Sequence, residues 1–109
     1  YGGAFPTWLA PTQTMIVPVS DVFTEYSEKL ANDLRNEFIR VEVDATNDTL
    51  NKRLRNAVTR KIPNILVIGE REQLNQTVTL RRYGIQDQKT MPYIEYKSWL
   101  LEQIRNRTS

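Results

Sequence analysis

The chain has 109 residues, 39% of them hydrophobic and 26% charged, with a formal net charge of +2; that length holds one domain around one core. It contains no cysteine and no histidine, which excludes disulfides, zinc-thiolate sites, cysteine nucleophiles and every Ser-His or Cys-His catalytic pairing. No apolar run approaches the roughly 20 residues of a membrane span, and the start lacks the basic segment and long apolar stretch of a secretory signal.

The first twenty residues, YGGAFPTWLAPTQTMIVPVS, are unusual for a chain terminus, which is ordinarily polar and frayed. Phe5, Trp8 and Leu9 stand among glycines and prolines ahead of any strand. Residues 1–12 are therefore expected to be a linker or docking segment from a longer chain, and 13–109 the domain proper. Residues 13–19, QTMIVPV, form a short apolar run closed by Pro18 and read as a buried strand. Ser20 or Asp21 can cap the next helix. There Val22, Tyr26, Leu30 and Leu34 recur every four residues, with Phe23, Ala31 and Phe38 alongside, and Glu28, Lys29, Asn32 and Arg35 lie opposite.

IRVEV, residues 39–43, alternates like a half-exposed strand. DATND crowds turn and cap residues together. Asp48 or Thr49 then starts a second helix with Leu50, Leu54, Ala57 and Val58 inward, and Pro63 lies just past its reach. NILVIGE, residues 64–70, is a continuous apolar strand stopped by Gly69. QTVTLRRYG, residues 76–84, alternates again, and the short connection suits an antiparallel hairpin. TMPYIEYKSWLLEQIRNR predicts a short edge strand and a final helix, with Ile94, Leu100, Leu101 and Ile104 packed and Trp99 at the margin. Two strand-helix-strand units imply a parallel start to the sheet with right-handed crossovers. The expected architecture is α/β: a mixed sheet of about five strands flanked by three helices.

The chemistry of the chain is narrow. There is no GxGxxG after the first strand and no GxxxxGK[ST], so neither kind of nucleotide site is expected. Ser20, Thr24 and Ser98 have no base partner. Paired acids at the end of the first strand, as a response regulator needs, reduce here to Asp21. Metal sites could come only from carboxylates, and no acidic cluster has such spacing; no catalytic and no metal-binding residue is assigned. Lys52, Arg53, Arg55, Arg60 and Lys61 fall within ten residues with no acid among them, which suits a polyanion or an ordinary solvated helix face. Polar groups gather at strand ends: Asp44, Thr46 and Asn47; Glu70, Arg71 and Glu72; Arg81 and Arg82. Ligands of open sheets collect where strand ends and the following loops meet. Asn, Glu and Arg can read the Watson–Crick edges of unpaired bases, with nearby cations on phosphates; caps and surface charges are the plainer alternative.

The motifs themselves resemble a known family. GAFPTWLAPTQ, residues 3–13, followed by a strand ending in PVS, resembles the junction between the catalytic and anticodon-binding domains of threonyl-tRNA synthetases. RVEVD, KIPNILVIGERE and VTLRRYG follow in the family's order. The resemblance implies the class II anticodon-binding fold and a tRNA-recognition module of a threonine–tRNA ligase. It places Phe5 and Trp8 at the domain junction. It implies Asn47, Glu72 and Arg81 as readers of anticodon bases, with G and U at the second and third positions as targets. Lys52, Arg53, Arg55, Arg71 and Arg82 would hold the RNA backbone. The partners implied are the tRNA(Thr) anticodon stem-loop and a catalytic domain of the same polypeptide, in a homodimeric cytoplasmic enzyme. No cofactor belongs to this domain by that resemblance; ATP, Mg and Zn would sit in the catalytic domain. The chain departs from the family after the second strand, where Thr46, Thr49 and Asn51 replace the usual Arg, Lys and Gly. Two other readings remain: a synthetase-derived interaction module in a regulatory or accessory protein, and a small flavodoxin-like enzyme without a phosphate loop.

Overall fold

The computed structural model describes residues 10, 12–44, 49–82 and 88–106. Its five strands are β1 (Thr14–Pro18), β2 (Val41–Val43), β3 (Asn64–Ile68), β4 (Thr77–Arg82) and β5 (Gln88–Pro92). Its helices are α1 (Thr24–Arg35), α2 (Leu50–Thr59), α3 (Glu70–Asn75) and α4 (Tyr93–Arg105), with a single 3-10 turn at Asp21–Phe23. The sheet order is β2-β1-β3-β4-β5. β1 runs parallel to both β2 and β3, and the β3/β4 and β4/β5 pairs are antiparallel. The mixed five-stranded sheet is thus as the sequence predicts.

Helices pack against both faces of this sheet. Ile16, Leu66, Ile68, Val78 and Leu80 point to one side and pack with Leu30, Ala31 and Leu34 of α1 and Tyr93, Tyr96 and Leu100 of α4. Met15, Val17 and Ile65 point to the other side and pack with Leu54 and Ala57 of α2 and with Ile62. β1 is buried on both faces, which explains its continuous apolar run. Two polar contacts inside tie the elements together: Thr14 shares a 2.8 Å hydrogen bond with the buried Tyr96 hydroxyl, and Asn64 donates to the Gln13 carbonyl at 3.0 Å.

Several expectations are corrected. Among the described residues the helices number four, because the connection between β3 and β4 is itself α3 rather than a plain hairpin turn. The Glu72 side chain accepts the Gly69 N–H at 2.7 Å, satisfying a donor that the start of a helix otherwise leaves orphaned. Gln76 then ends α3 in the left-handed region, at φ 53°, and the chain turns back as β4. Phe38 leaves the α1 stripe: the helix stops at Arg35, and Phe38 sits at φ 63°, 93% exposed. Val22 is exposed in the 3-10 turn. Val58 and Ile94 also face outward, because the inward stripes of α2 and α4 run through Leu54 and Ala57 and through Tyr93, Tyr96 and Leu100. At the start of α2 the Thr49 hydroxyl accepts the Lys52 N–H at 3.3 Å, so Thr49 acts as the N-cap.

Candidate nucleic-acid interface

β4 sorts its side chains by alternation. Val78 and Leu80 enter the core under α1 and α4. Thr77, Thr79 and Arg81 take the opposite face, in register with Val67 and Ile65 of β3 and with Thr90 and Gln88 of β5. α2 closes the β1 and β3 part of that face. Over β4 and β5 it is left to α3 and solvent. The result is an open hollow of about 530 Å³ lined by Val67, Glu70, Arg71, Glu72, Thr79, Gln88 and Thr90. That lies within the ~300–1,000 Å³ of typical ligand clefts, and its lining is mostly polar.

Glu72 is the best-anchored side chain there. One carboxylate oxygen accepts the Gly69 N–H at 2.7 Å, the other the Thr79 hydroxyl at 3.1 Å. Thr79 in turn lies 2.9 Å from the Thr90 hydroxyl. A Cβ on residue 69 would sit 3.2 Å from the carboxylate and 3.4 Å from Val19, so glycine leaves Glu72 room to fold back over the strand end. Tyr26 approaches from the other side of the α3–β4 turn, donating to the Thr77 carbonyl at 3.3 Å. Burial, and then the negative charge of Glu72, push its phenol up from its ordinary value.

Arg81 is half-buried. It stands two residues from Thr79 on the same strand face, about 7 Å along β4, with Gln88 as its neighbour across the β4/β5 ladder. The site therefore joins a fixed acceptor at one end to a planar donor fork at the other. Arg71 is exposed on α3 and lines the hollow. Lys52 and Arg55 are exposed on the outer face of α2.

Two of the cations expected on RNA are placed elsewhere. Arg53 is only 5% exposed. Its guanidinium turns inward and donates to the Asp44 carbonyl at 3.2 Å, with its Nε buried and unpaired. Arg82 occupies the opposite sheet face from Arg81, where its guanidinium lies 5.2 Å from the centre of the Trp99 ring. Neither presents its charge to the hollow. Asn47, Phe5 and Trp8 lie outside the described residues. Sequence reasoning missed Thr79, Gln88 and Thr90. Thr79 shares the alternation that marks Arg81, whereas Gln88 and Thr90 sit on a strand with no apolar run to announce it.

A second hollow, of about 420 Å³, lies between β2 and the end of α2. Glu42 and Arg60 line it and hold each other through two hydrogen bonds, of 2.7 and 3.2 Å. Arg60 first, then the Thr12 hydroxyl, lowers the carboxyl of Glu42 below its usual range. Its main charges are spent on each other.

With that geometry in place, residues 13–103 match the family described as anticodon binding domain. The chain belongs to that family. Within it, the chain is similar to threonyl-tRNA synthetases. It is 47% identical, over its whole length, to a protein named threonine–tRNA ligase from Dehalococcoides mccartyi. It is 40% identical over 98% of its length to threonine–tRNA ligase 2 of Bacillus subtilis. It spans 19% and 17% of those two proteins, less than a fifth of each. Among solved structures, the RNA-binding domain of threonyl-tRNA synthetase from Cryptosporidium parvum superposes with a TM-score of 0.87 at 27% identity. That match covers 93% of this chain and 26% of the other. Prolyl-tRNA synthetase from the same organism, at 20% identity and TM-score 0.80, shares the fold over 95% of this chain and 23% of its own.

Proposed function

We propose that this domain recognises the anticodon loop of tRNA(Thr) and holds it for threonylation by a catalytic domain of the same polypeptide. Glu72 and Arg81 read unpaired bases, the carboxylate accepting from the N1–H and N2–H₂ edge of guanine and the guanidinium donating to base acceptors. Asn47 completes the set of readers. Arg71, Lys52 and Arg55 hold phosphates. Arg53 and Arg82 have other work, bracing the start of the β2–α2 connection and stacking on Trp99. In this reading ATP, Mg and Zn belong with the catalytic domain, and the full-length enzyme is a cytoplasmic homodimer.

The observation that supports this reading is the polar half-face that α2 does not reach, where Glu72 of the short α3 and Arg81 of β4 stand on neighbouring rigid elements beside an open hollow. A face left polar and open beside a fully covered one suits a polar ligand. The test is binding of this chain to a threonine anticodon stem-loop, against the same hairpin with the second and third anticodon bases exchanged, at several salt concentrations. Preference for the threonine loop that persists as salt rises is the expected result, since base contacts are less salt-dependent than phosphate contacts. Equal binding of both hairpins that collapses with salt would reduce the domain to a phosphate-binding module.

A further inference from the structure

The hydrogen bonds behind Glu72 have a direction. An ionised carboxylate only accepts, so the single hydroxyl proton of Thr79 is the one that meets Glu72 Oε2 at 3.1 Å. Thr79 has then no proton left for Thr90, and the 2.9 Å contact between the two hydroxyls must run from Thr90 to Thr79. The order is Thr90 to Thr79 to Glu72. Oε1 is held separately by the Gly69 N–H at 2.7 Å. Each carboxylate oxygen thus takes one fixed donor and keeps one lone-pair direction open. Two adjacent acceptors with their plane fixed match a ligand edge with two adjacent donors. Among unmodified bases, guanine offers that edge through N1–H and N2–H₂.

The geometry points to Thr79, backed by Thr90, as the positioning residue that sets the carboxylate plane of Glu72 for a guanine edge. The inference rests on the reading of Glu72 as a base reader. Thr79 is nearly buried and touches no base in this scheme; it acts through Glu72. A carboxylate held at one oxygen only can rotate about its last torsion, which is broad, and would then accept from one donor or two with little distinction. Thr90 lies on the exposed edge strand and polarises Thr79 by donating to it.

The experiment compares hairpins carrying guanosine or inosine at the second anticodon position; inosine keeps N1–H and lacks the 2-amino group. The parent chain is expected to prefer guanosine by about tenfold, the value of one charge-assisted hydrogen bond. Thr79→Val is expected to cut that preference to about two- to threefold, and Thr79→Ser to restore it. Thr90→Val should give a smaller reduction of the same ratio. A purely structural role for Thr79 would weaken both hairpins alike and leave the ratio standing. If Thr79→Val does not fold, Thr79→Ala takes its place. Glu72→Gln separates the two claims, because it keeps an acceptor for Gly69 but turns a donor toward the base. A ratio lost in Glu72→Gln yet intact in the Thr79 variants overturns the relay and leaves the base reader in place. A ratio that survives Glu72→Gln overturns the reader, and the relay with it.

Discussion

The two faces of the same sheet have been built to different ends. On one, Ile16, Leu66, Ile68, Val78 and Leu80 lie under α1 and α4, and apolar cover extends across β1, β3 and β4. On the other, cover stops after β3. Where α2 ends its reach, the lining changes from Met15, Val17 and Ile65 to Thr79, Arg81, Gln88 and Thr90. Both faces are made by alternate residues of the same strands. In β4 the order Thr77, Val78, Thr79, Leu80, Arg81 assigns the core to the even positions and the polar face of the candidate site to the odd ones. A period of two thus lets one strand serve a core and a site without either constraining the other.

The sharpest break of that partition comes from the covered face. Leu66 is fully buried, and Leu66→Ala should cost about 2–5 kcal/mol from lost transfer energy and the cavity left behind. Urea unfolding followed by circular dichroism measures it. The tRNA affinity of the fraction still folded should match the parent. A specific loss of base discrimination in folded Leu66→Ala would mean that the faces are not separable.

Next in size is a pair of neighbours. Arg81→Ala should weaken binding of the threonine stem-loop by about tenfold or more, as expected for a lost charged hydrogen bond, while stability stays within about 0.5 kcal/mol. Arg82→Ala should do the reverse. It removes the cation from the Trp99 ring, worth about 0.5–1 kcal/mol at a partly exposed site, and leaves binding nearly intact. Anisotropy titration and thermal unfolding of both variants decide the matter. Equal losses of affinity would show that sheet face does not sort these two arginines.

How much of this was legible in the sequence follows the same physics. The apolar runs of β1 and β3 announced buried strands, and the alternation of QTVTLRRYG announced β4. The α3 helix was hidden because six residues are too few to show a period, and because its start depends on Glu72 reaching back to Gly69. β5 was only half visible: Gln88 to Pro92 hold one large apolar residue, and the strand exists because β4 offers it an edge. Arg53 could have been placed. It is three residues after Leu50 and four before Ala57, inside the inward stripe of α2, but the surrounding Lys52 and Arg55 made the run look uniformly solvated. Phe38 had no warning in the pattern, since the helix ends one turn before the apolar stripe does.

The same distinction on α2 gives a smaller effect. Each phosphate contact adds about one unit to the slope of log affinity against log salt. Lys52→Ala and Arg55→Ala should each reduce that slope by about one without altering the preference between hairpins. Arg53→Met should leave the slope unchanged, because its guanidinium is committed to the Asp44 carbonyl, and should appear instead as a loss of stability. A slope change in Arg53→Met equal to that of Lys52→Ala would mean Arg53 swings out to meet RNA.

The smallest expected effect concerns acid, and it tests whether the scaffold's charges are kept apart from the site's. The Tyr93 hydroxyl, and then Lys97 at 3.0 Å, hold the carboxyl of Asp33 below its ordinary 3.8. Arg60, and then Thr12, hold Glu42 below 4.5. Folded values lie beneath unfolded ones, so each group favours the ionised folded state. Its contribution is complete above the unfolded value and is lost as pH falls from there through the folded value. Both side chains are more than a third exposed, which keeps the effect modest. The urea midpoint should therefore be level from pH 6 to 8, where a chain without histidine or cysteine has no side chain that ordinarily titrates, and should decline below about pH 4.5. Asp33→Asn should make that decline shallower while leaving stem-loop affinity at neutral pH unchanged, because Asp33 joins α1 to α4 on the covered face. A loss of affinity in that variant would tie the covered face to recognition after all, through α4, whose Trp99 ring carries the Arg82 guanidinium of β4.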